Sequence, residues 1–353
     1  MKKRNMEQKI PVYYKTSLED VENCVSSVEK GQVTVLCTSP GGRPVYLVRY
    51  GAKNTFDRKA NLSSALGASD ISCFADKSRP DYRPTLLLVG ATHGGEFEGT
   101  MALLNLIRVM ETGRDYAGNE FPELRGLMEK ITLLIIPFLN PDGRARVPFD
   151  SFVGMTFEEL RYYSQGTWKD GSLCGWPECK KVHPILGHVD YLGAYYNDEG
   201  INLMHDNFFG KKAAETESLL QVCEEYVPDF SVLLHGGTNT VDVILSPAYA
   251  SLQAKRKVCE ASARIGEVCK REGLEFIVTK DTDCGENKMP PTSFNLVSAM
   301  HHVCGEPCVT YESNQGLVPY DLGGHIQTGS TYDEIYRHHQ ILFEELAKYI
   351  LCI

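Results

Sequence analysis

The sequence predicts an α/β domain of three layers, with helices on both faces of a mostly parallel, mixed sheet. Three observations lead there. Short apolar runs, too brief for independent helices, recur along the chain and read as strands buried on both faces. Other segments place apolar residues at three- and four-residue spacing, the period of an amphipathic helix. The two kinds alternate from residue 85 onward, as strands joined by crossover helices do.

Taken in order, Ser17-Leu18-Glu19-Asp20 is a capping sequence that opens a short helix through Val21, Cys24, Val25 and Val28. Strand-rich runs at 33–37 and 45–50 flank Ser39-Pro40-Gly41-Gly42, a hairpin turn. Residues 54–82 are polar and irregular. The run Thr85-Leu86-Leu87-Leu88-Val89-Gly90 is the strand around which the chain is arranged. It stops at a turn containing His93, Gly94, Gly95 and Glu96, and from Glu98 the residues Leu103, Leu106, Ile107 and Met110 repeat with helical period. A second apolar strand at 131–136 ends at Pro137-Phe138-Leu139-Asn140-Pro141-Asp142-Gly143, where Asn140 and Asp142 read as turn formers.

Residues 144–199 show no clear periodicity, which is long for a loop. The aromatic residues Tyr162, Tyr163, Trp168, Trp176, Tyr191, Tyr195 and Tyr196 mark this stretch as an ordered, pocket-forming excursion. Further on, a helix is expected over 213–226 and a strand over 230–234, ending at His235-Gly236-Gly237. A long helix follows at 252–272, its Val258, Ala261, Ile265 and Val268 facing inward. Strands at 275–279 and 307–311 come next, the second ending at Glu312, and a helix over 332–351 closes the chain. This reading gives a short N-terminal extension at 1–11 and one domain over 12–353.

The net charge of −10 argues against nucleic acid or an anionic membrane as partner. Met1-Lys2-Lys3-Arg4-Asn5 is followed by Glu7, Gln8 and Lys9 where a signal peptide needs an apolar core, so no secretory signal or membrane span is expected, and the cytoplasm is the expected compartment. The 12 cysteines are scattered, with only Cys174/Cys179 and Cys304/Cys308 close together, which favours reduced thiols over a disulfide framework.

The turn after residue 90 carries a histidine and a glutamate three residues apart at the carboxyl end of a central strand, where open α/β sheets bind ligands. Imidazole and carboxylate are both zinc ligands, and Gly94 and Gly95 remove side-chain obstruction. The alternative is that His93 caps the next helix and Glu96 sits in its first turn, favoured there by the helix dipole. A third ligand decides between them. His235 and Glu312 also end strands, so two histidines and one glutamate would leave an open coordination position, the mark of a catalytic rather than a structural zinc. Zinc lowers the pKa of a bound water and polarises a carbonyl, and a separate carboxylate, Glu312, is placed to move the proton.

His93-Gly94-Gly95-Glu96, Asn140-Pro141-Asp142-Gly143, Gly200-Ile201-Asn202-Leu203, Leu234-His235-Gly236 and Thr310-Tyr311-Glu312 resemble the ordered signature blocks of the zinc metallocarboxypeptidase (carboxypeptidase A-like) family. The separations are similar too, with 142 residues from His93 to His235 and 77 from there to Glu312. The similarity covers residues 12–350 and includes the Gly41-Gly42-Arg43-Pro44 hairpin. It implies a helix/mixed-sheet/helix fold of the carboxypeptidase-like (phosphorylase/hydrolase-like) kind. It also implies one Zn2+ per chain on His93, Glu96 and His235, the His₂Glu set known from carboxypeptidase A. Glu312 would be general base and acid, and Asn202 would accept a hydrogen bond from the far nitrogen of His93, where relatives often have aspartate.

The departures from the family concern the substrate. Typical carboxypeptidases follow the Asn202 block with Asn-Arg, whose planar fork grips a terminal carboxylate, and this chain has Met204-His205. The usual tryptophan-arginine pair is matched only by Trp168-Lys169, and the expected tyrosine before the last strand has no counterpart in 283–294. His205 is the candidate substrate anchor, as a pH-dependent cation, with Arg144 and Lys169 as further candidates. Lys180, Lys181, His183 and His188 can reach the pocket from the excursion or lie on the surface, while His301, His302, His338 and His339 read as surface or satisfied core histidines. The expectation is a zinc hydrolase acting on a peptide. The alternatives are a deacylase or amidase acting on an acylated amino acid or small amide, and a non-catalytic binding module.

Overall fold

The computed structural model describes residues 9–280 and 292–352. Its helices are α1 (Leu18–Ser26), α2 (Leu62–Gly67), α3 (Glu98–Thr112), α4 (Pro122–Met128), α5 (Pro141–Ala145), α6 (Phe157–Gln165), α7 (Ala214–Tyr226), α8 (Leu252–Glu272), α9 (Leu296–Cys304) and α10 (Tyr332–Ile350). The strands are β1 (Gln32–Thr38), β2 (Pro44–Tyr50), β3 (Thr85–Gly90), β4 (Thr132–Ile136), β5 (Gly166–Trp168), β6 (Val189–Leu192), β7 (Phe230–Gly236), β8 (Asp242–Leu245), β9 (Phe276–Ile277), β10 (Cys308–Ser313), β11 (Tyr320–Leu322) and β12 (His325–Gln327).

The central sheet runs β1-β2-β4-β3-β7-β10-β8-β9. Its middle is parallel, through the pairs β4/β3, β3/β7 and β7/β10, while β1/β2, β2/β4 and β10/β8 are antiparallel. The mixed sheet expected from the sequence is therefore present. All six residues of β3 and all five of β4 are buried, as parallel strands covered on both faces must be. The strand period of two divides them cleanly. Leu86 and Leu88 join the core under α3, α8 and α10, whereas Leu87 and Val89 join the opposite core under α2, α7 and α9.

Several boundaries differ from the sequence reading. Strands β7 and β10 each continue two residues further, so His235 and Glu312 sit on strands rather than just past them. The segment at 275–279 forms a strand only at Phe276–Ile277. The irregular stretch 54–82 holds the short helix α2, and 144–199 holds α6 and the β5/β6 ribbon. Strand β8 and helix α4 were not anticipated, having too few residues to show a period. Most of the 283–294 loop, like residues 1–8 of the extension, lies outside the described residues.

Two glycines bring the site's elements together. A Cβ at Gly99 would lie 2.3 Å from the Leu234 Cβ, so only a glycine lets α3 settle onto β7. A Cβ at Gly94 would lie 2.1 Å from the Arg144 nitrogen, so the His93 turn can rest directly on the backbone of α5. The Gly94 N–H donates to the Ala194 carbonyl at 2.8 Å, which ties the end of the excursion to the same turn.

Candidate metal centre

His93 and Glu96 lie on the turn after β3, and His235 lies on β7, the strand hydrogen-bonded to β3. Glu312, on β10, is the register partner of His235. Three consecutive parallel strands thus deliver four functional side chains at one end of the sheet, which is the reason distant parts of the chain meet.

The ligand atoms of His93, Glu96 and His235 all lie within 4.8 Å of one another, and all three residues are buried. His93 Nδ1 is 2.9 Å from Glu96 Oε1, and His235 Nδ1 is 2.8 Å from Glu96 Oε2. Burial pushes the Glu96 carboxyl up, but the two imidazoles more than offset it and hold it below the usual carboxylate range. Phe97 is the N-cap residue of α3 and makes no side-chain cap, and both His93 ring nitrogens face Glu96 and Asn202, so capping is not the role of His93.

Asn202 fixes the histidine tautomer. Its Oδ1 accepts the Met204 N–H at 3.0 Å, which identifies that atom as the oxygen, and the same oxygen is 3.1 Å from His93 Nε2. His93 therefore donates from Nε2 and leaves the Nδ1 lone pair facing Glu96. Removing that acceptor, as in Asn202→Leu, is expected to lower zinc affinity about 10- to 100-fold, measured by competition with a chromophoric chelator.

These residues fit a zinc ion. Glu96 Oε2, though 2.8 Å from His235 Nδ1, has no acceptable hydrogen bond. A buried carboxylate oxygen without a donor, beside two imidazole nitrogens aimed at the same point, is a donor set lacking its cation.

Glu312 stands beside this set. A Cβ at Gly237 would come 3.2 Å from Glu312 Oε2, so the glycine leaves the carboxylate its room. Burial pushes the Glu312 carboxyl up to about 7, with His235 and Lys180 pulling it down and Glu96 pushing it further up. A carboxyl poised near neutrality is matched to accepting and returning a proton.

The excursion also reaches the centre. The Tyr195 ring stacks on His93 with centroids 3.9 Å apart and planes 10° from parallel. His183 Nε2 accepts the Asn202 N–H at 3.0 Å. Lys180 is the cation whose charge bears on Glu312, Glu96, His235 and His205. Sequence reasoning left Lys180 and His183 undecided and gave Tyr195 no role at the site. No spacing links them to His93, because a loop fold rather than a periodic element carries them.

The anchor candidates require correction. Arg144 donates from Nε to the Thr16 carbonyl, from Nη1 to the Val147 carbonyl, and from Nη2 to the Phe149 carbonyl and Asp150 Oδ1. Its guanidinium also packs on the Phe97 ring at 4.7 Å, so it braces the fold rather than meeting substrate. Lys169 occupies an exposed turn after β5 and is not among the charges bearing on Glu312. His205 is half-buried, and burial, followed by Lys180 and the neighbouring histidines, pushes its pKa down to about 3. It is neutral at physiological pH and can offer a hydrogen bond but no charge.

The two turn residues also differ. Asn140 caps α5 by accepting the Gly143 N–H at 2.8 Å, as expected. Asp142 instead accepts from Ser39 Oγ, Arg43 Nη1 and the Gly41 and Asp198 N–H groups, joining the first hairpin to the excursion. His301 and His338 are satisfied by backbone partners, in line with the core reading.

Residues 25–158 match the family model described as zinc carboxypeptidase. The fold is similar to that of a metallo-carboxypeptidase from Burkholderia cenocepacia, at TM-score 0.55 and 14% identity, covering 95% of this chain and 70% of that one. It is also similar to a metallo-carboxypeptidase from Pseudomonas aeruginosa in complex with (2-guanidinoethylmercapto)succinic acid, at TM-score 0.54 and 16% identity, covering 94% and 68%. Carboxypeptidase A from Helicoverpa armigera matches at TM-score 0.51 and 14% identity over 96% and 74%. No curated protein matches by sequence. At these identities the likeness to solved structures is one of fold. Among the described residues, no helix is long and apolar enough to cross a membrane.

Proposed function

Because this chain is a divergent member of the zinc metallocarboxypeptidase family, a zinc metallopeptidase, we propose that it hydrolyses an amide bond of a peptide with Glu312 as general base and acid. The observation that carries this reading is the placement of Glu312, register partner of His235, beside the buried His93-Glu96-His235 set. A binding module has no use for a base beside an open metal.

His93 and His235, through Nδ1, and Glu96 would hold the zinc. Zinc bound there supplies a Lewis acid and a water of lowered pKa. Asn202 keeps His93 in the tautomer that leaves Nδ1 free, and the Tyr195 ring shields one face of that imidazole from solvent. Glu312 takes a proton from the attacking water and delivers it to the leaving nitrogen. A general base must be deprotonated, so kcat/KM is expected to rise with pH through the Glu312 titration. The value of about 7 belongs to the metal-free site, and a divalent cation nearby draws it lower. The pH profile of kcat/KM should therefore show an acid limb below 7, and Glu312→Gln should remove that limb.

The second reading is a deacylase or amidase acting on an acylated amino acid or small amide. It is favoured by the missing Asn-Arg pair, since Met204 is buried and His205 uncharged. Hydrolysis of a blocked dipeptide and of its C-terminal amide by the zinc-loaded protein discriminates the two. A carboxypeptidase needs the free acid, and equal turnover of both would favour the amidase.

A further inference from the structure

We propose that Tyr195 is a positioning residue for the metal centre. Its ring holds the His93 imidazole in place, and through that stack zinc binding and closure of the excursion strengthen each other. This rests on the metal-centre reading and adds to it a residue outside the ligands and their hydrogen-bond partners.

The hydrogen bonds of His93 restrain its ring only in the plane. Nδ1 faces Glu96 Oε1 at 2.9 Å and Nε2 faces Asn202 Oδ1 at 3.1 Å. The faces are held by packing. The Tyr195 ring covers one of them at 3.9 Å between centroids and 10° from parallel, while the His235 ring stands at 75° with centroids 4.9 Å apart. A tilt of His93 that would turn Nδ1 away from the ligand set therefore meets the Tyr195 ring.

The backbone beneath Tyr195 is fixed, so its ring cannot swing aside. The Ala194 N–H donates to the Tyr163 carbonyl at 2.8 Å and the Tyr195 N–H to the Ser164 carbonyl at 2.9 Å. Both acceptors lie in the last turn of α6, where carbonyls lack partners within the helix. A Cβ at Gly193 would lie 2.3 Å from the Ser164 oxygen, and one at Gly143 would lie 2.2 Å from the Ala194 oxygen. Only glycines allow this segment to press against α6 on one side and α5 on the other. The next residue, Tyr196, is buried and donates from Oη to the Cys179 carbonyl at 3.1 Å, which extends the same unit into the excursion.

The closeness of the stack ties it to the metal. Aromatic pairs ordinarily keep their centroids about 4.5–7 Å apart, because two negative faces repel. The shorter separation here suits a pair in which one ring is poor in electrons. Zinc on Nδ1 makes His93 such a ring, and an electron-poor group is attracted to a phenol face as a cation is. Filling the metal site thus strengthens the stack, and by linkage the stack strengthens zinc binding by the same factor.

The test uses the full chain, with zinc affinity read by competition with a chromophoric chelator and backbone order read by hydrogen exchange over residues 187–200. Tyr195→Leu should weaken zinc binding about tenfold, the upper worth of one aromatic pair, and should lose the slowing of exchange that zinc produces in wild type. Tyr195→Phe keeps the ring and should restore both. The visible spectrum of the Co2+-loaded protein should shift in Tyr195→Leu and not in Tyr195→Phe, because it reports ligand geometry. Zinc bound as tightly by Tyr195→Leu as by wild type overturns the proposal. So does an equal loss in Tyr195→Phe, which would move the role to the hydroxyl. Equal melting of the metal-free forms checks that Tyr195→Leu folds. Should it not, wild type alone still decides, since exchange at Ala194 and Tyr195 that is unchanged by zinc overturns the coupling. A protein that hydrolyses no peptide yet shows these differences would sink the hydrolase reading and leave the positioning role standing. Peptide hydrolysis with zinc affinity unchanged in Tyr195→Leu would do the reverse.

Discussion

Glu312→Gln is expected to keep its zinc and lose about 10²- to 10⁴-fold in kcat/KM, the range ascribed to a positioned general acid–base group. Glutamine has nearly the same shape, and the room left by Gly237 accommodates it, so the fold should not change. It cannot accept a proton, however, and both transfers, from water and to the leaving nitrogen, are lost together. Metal analysis beside steady-state kinetics checks the result. Full zinc content with kcat/KM within tenfold of wild type would remove Glu312 from the mechanism.

Emptying the metal site should have an effect at least as large. His235→Ala deletes one of three ligands and leaves Glu96 with a single imidazole partner, His93. Zinc content should drop from about one per chain to trace, and hydrolysis to background, because both the Lewis acid and the activated water depend on it. Chelation of the wild type should abolish activity reversibly and lower the melting temperature. Zinc binds the folded site and not the unfolded chain, contributing about 4 kcal/mol when free metal exceeds Kd a thousandfold. Activity that survives complete chelation would defeat the metallopeptidase mechanism.

Much of this was legible before any coordinates. The run Leu86-Leu87-Leu88-Val89 before Gly90 is apolar throughout and reads as a doubly covered strand, and the Ser17 capping box gives the start of α1. Long helices such as α8 and α10 show themselves because their buried faces repeat over several turns. Short elements such as β8 do not, since four residues offer no period to read. The three metal ligands were legible as residues at strand ends. The anchor candidates Arg144 and Lys169 misled, because an arginine in a suggestive turn looks the same in sequence whether it faces substrate or four backbone and side-chain acceptors.

Sequence alone determined the layer pattern, the strand ends and the chemical identity of the His₂Glu set and its accompanying glutamate, since these follow from local periodicity and residue type. Only the tertiary structure decided that Tyr195 lies on His93, that His183 holds the Asn202 backbone and that His205 is uncharged. Those facts depend on how an aperiodic excursion closes over a sheet end, and on the burial that closure imposes, neither of which any short stretch of chain encodes by itself.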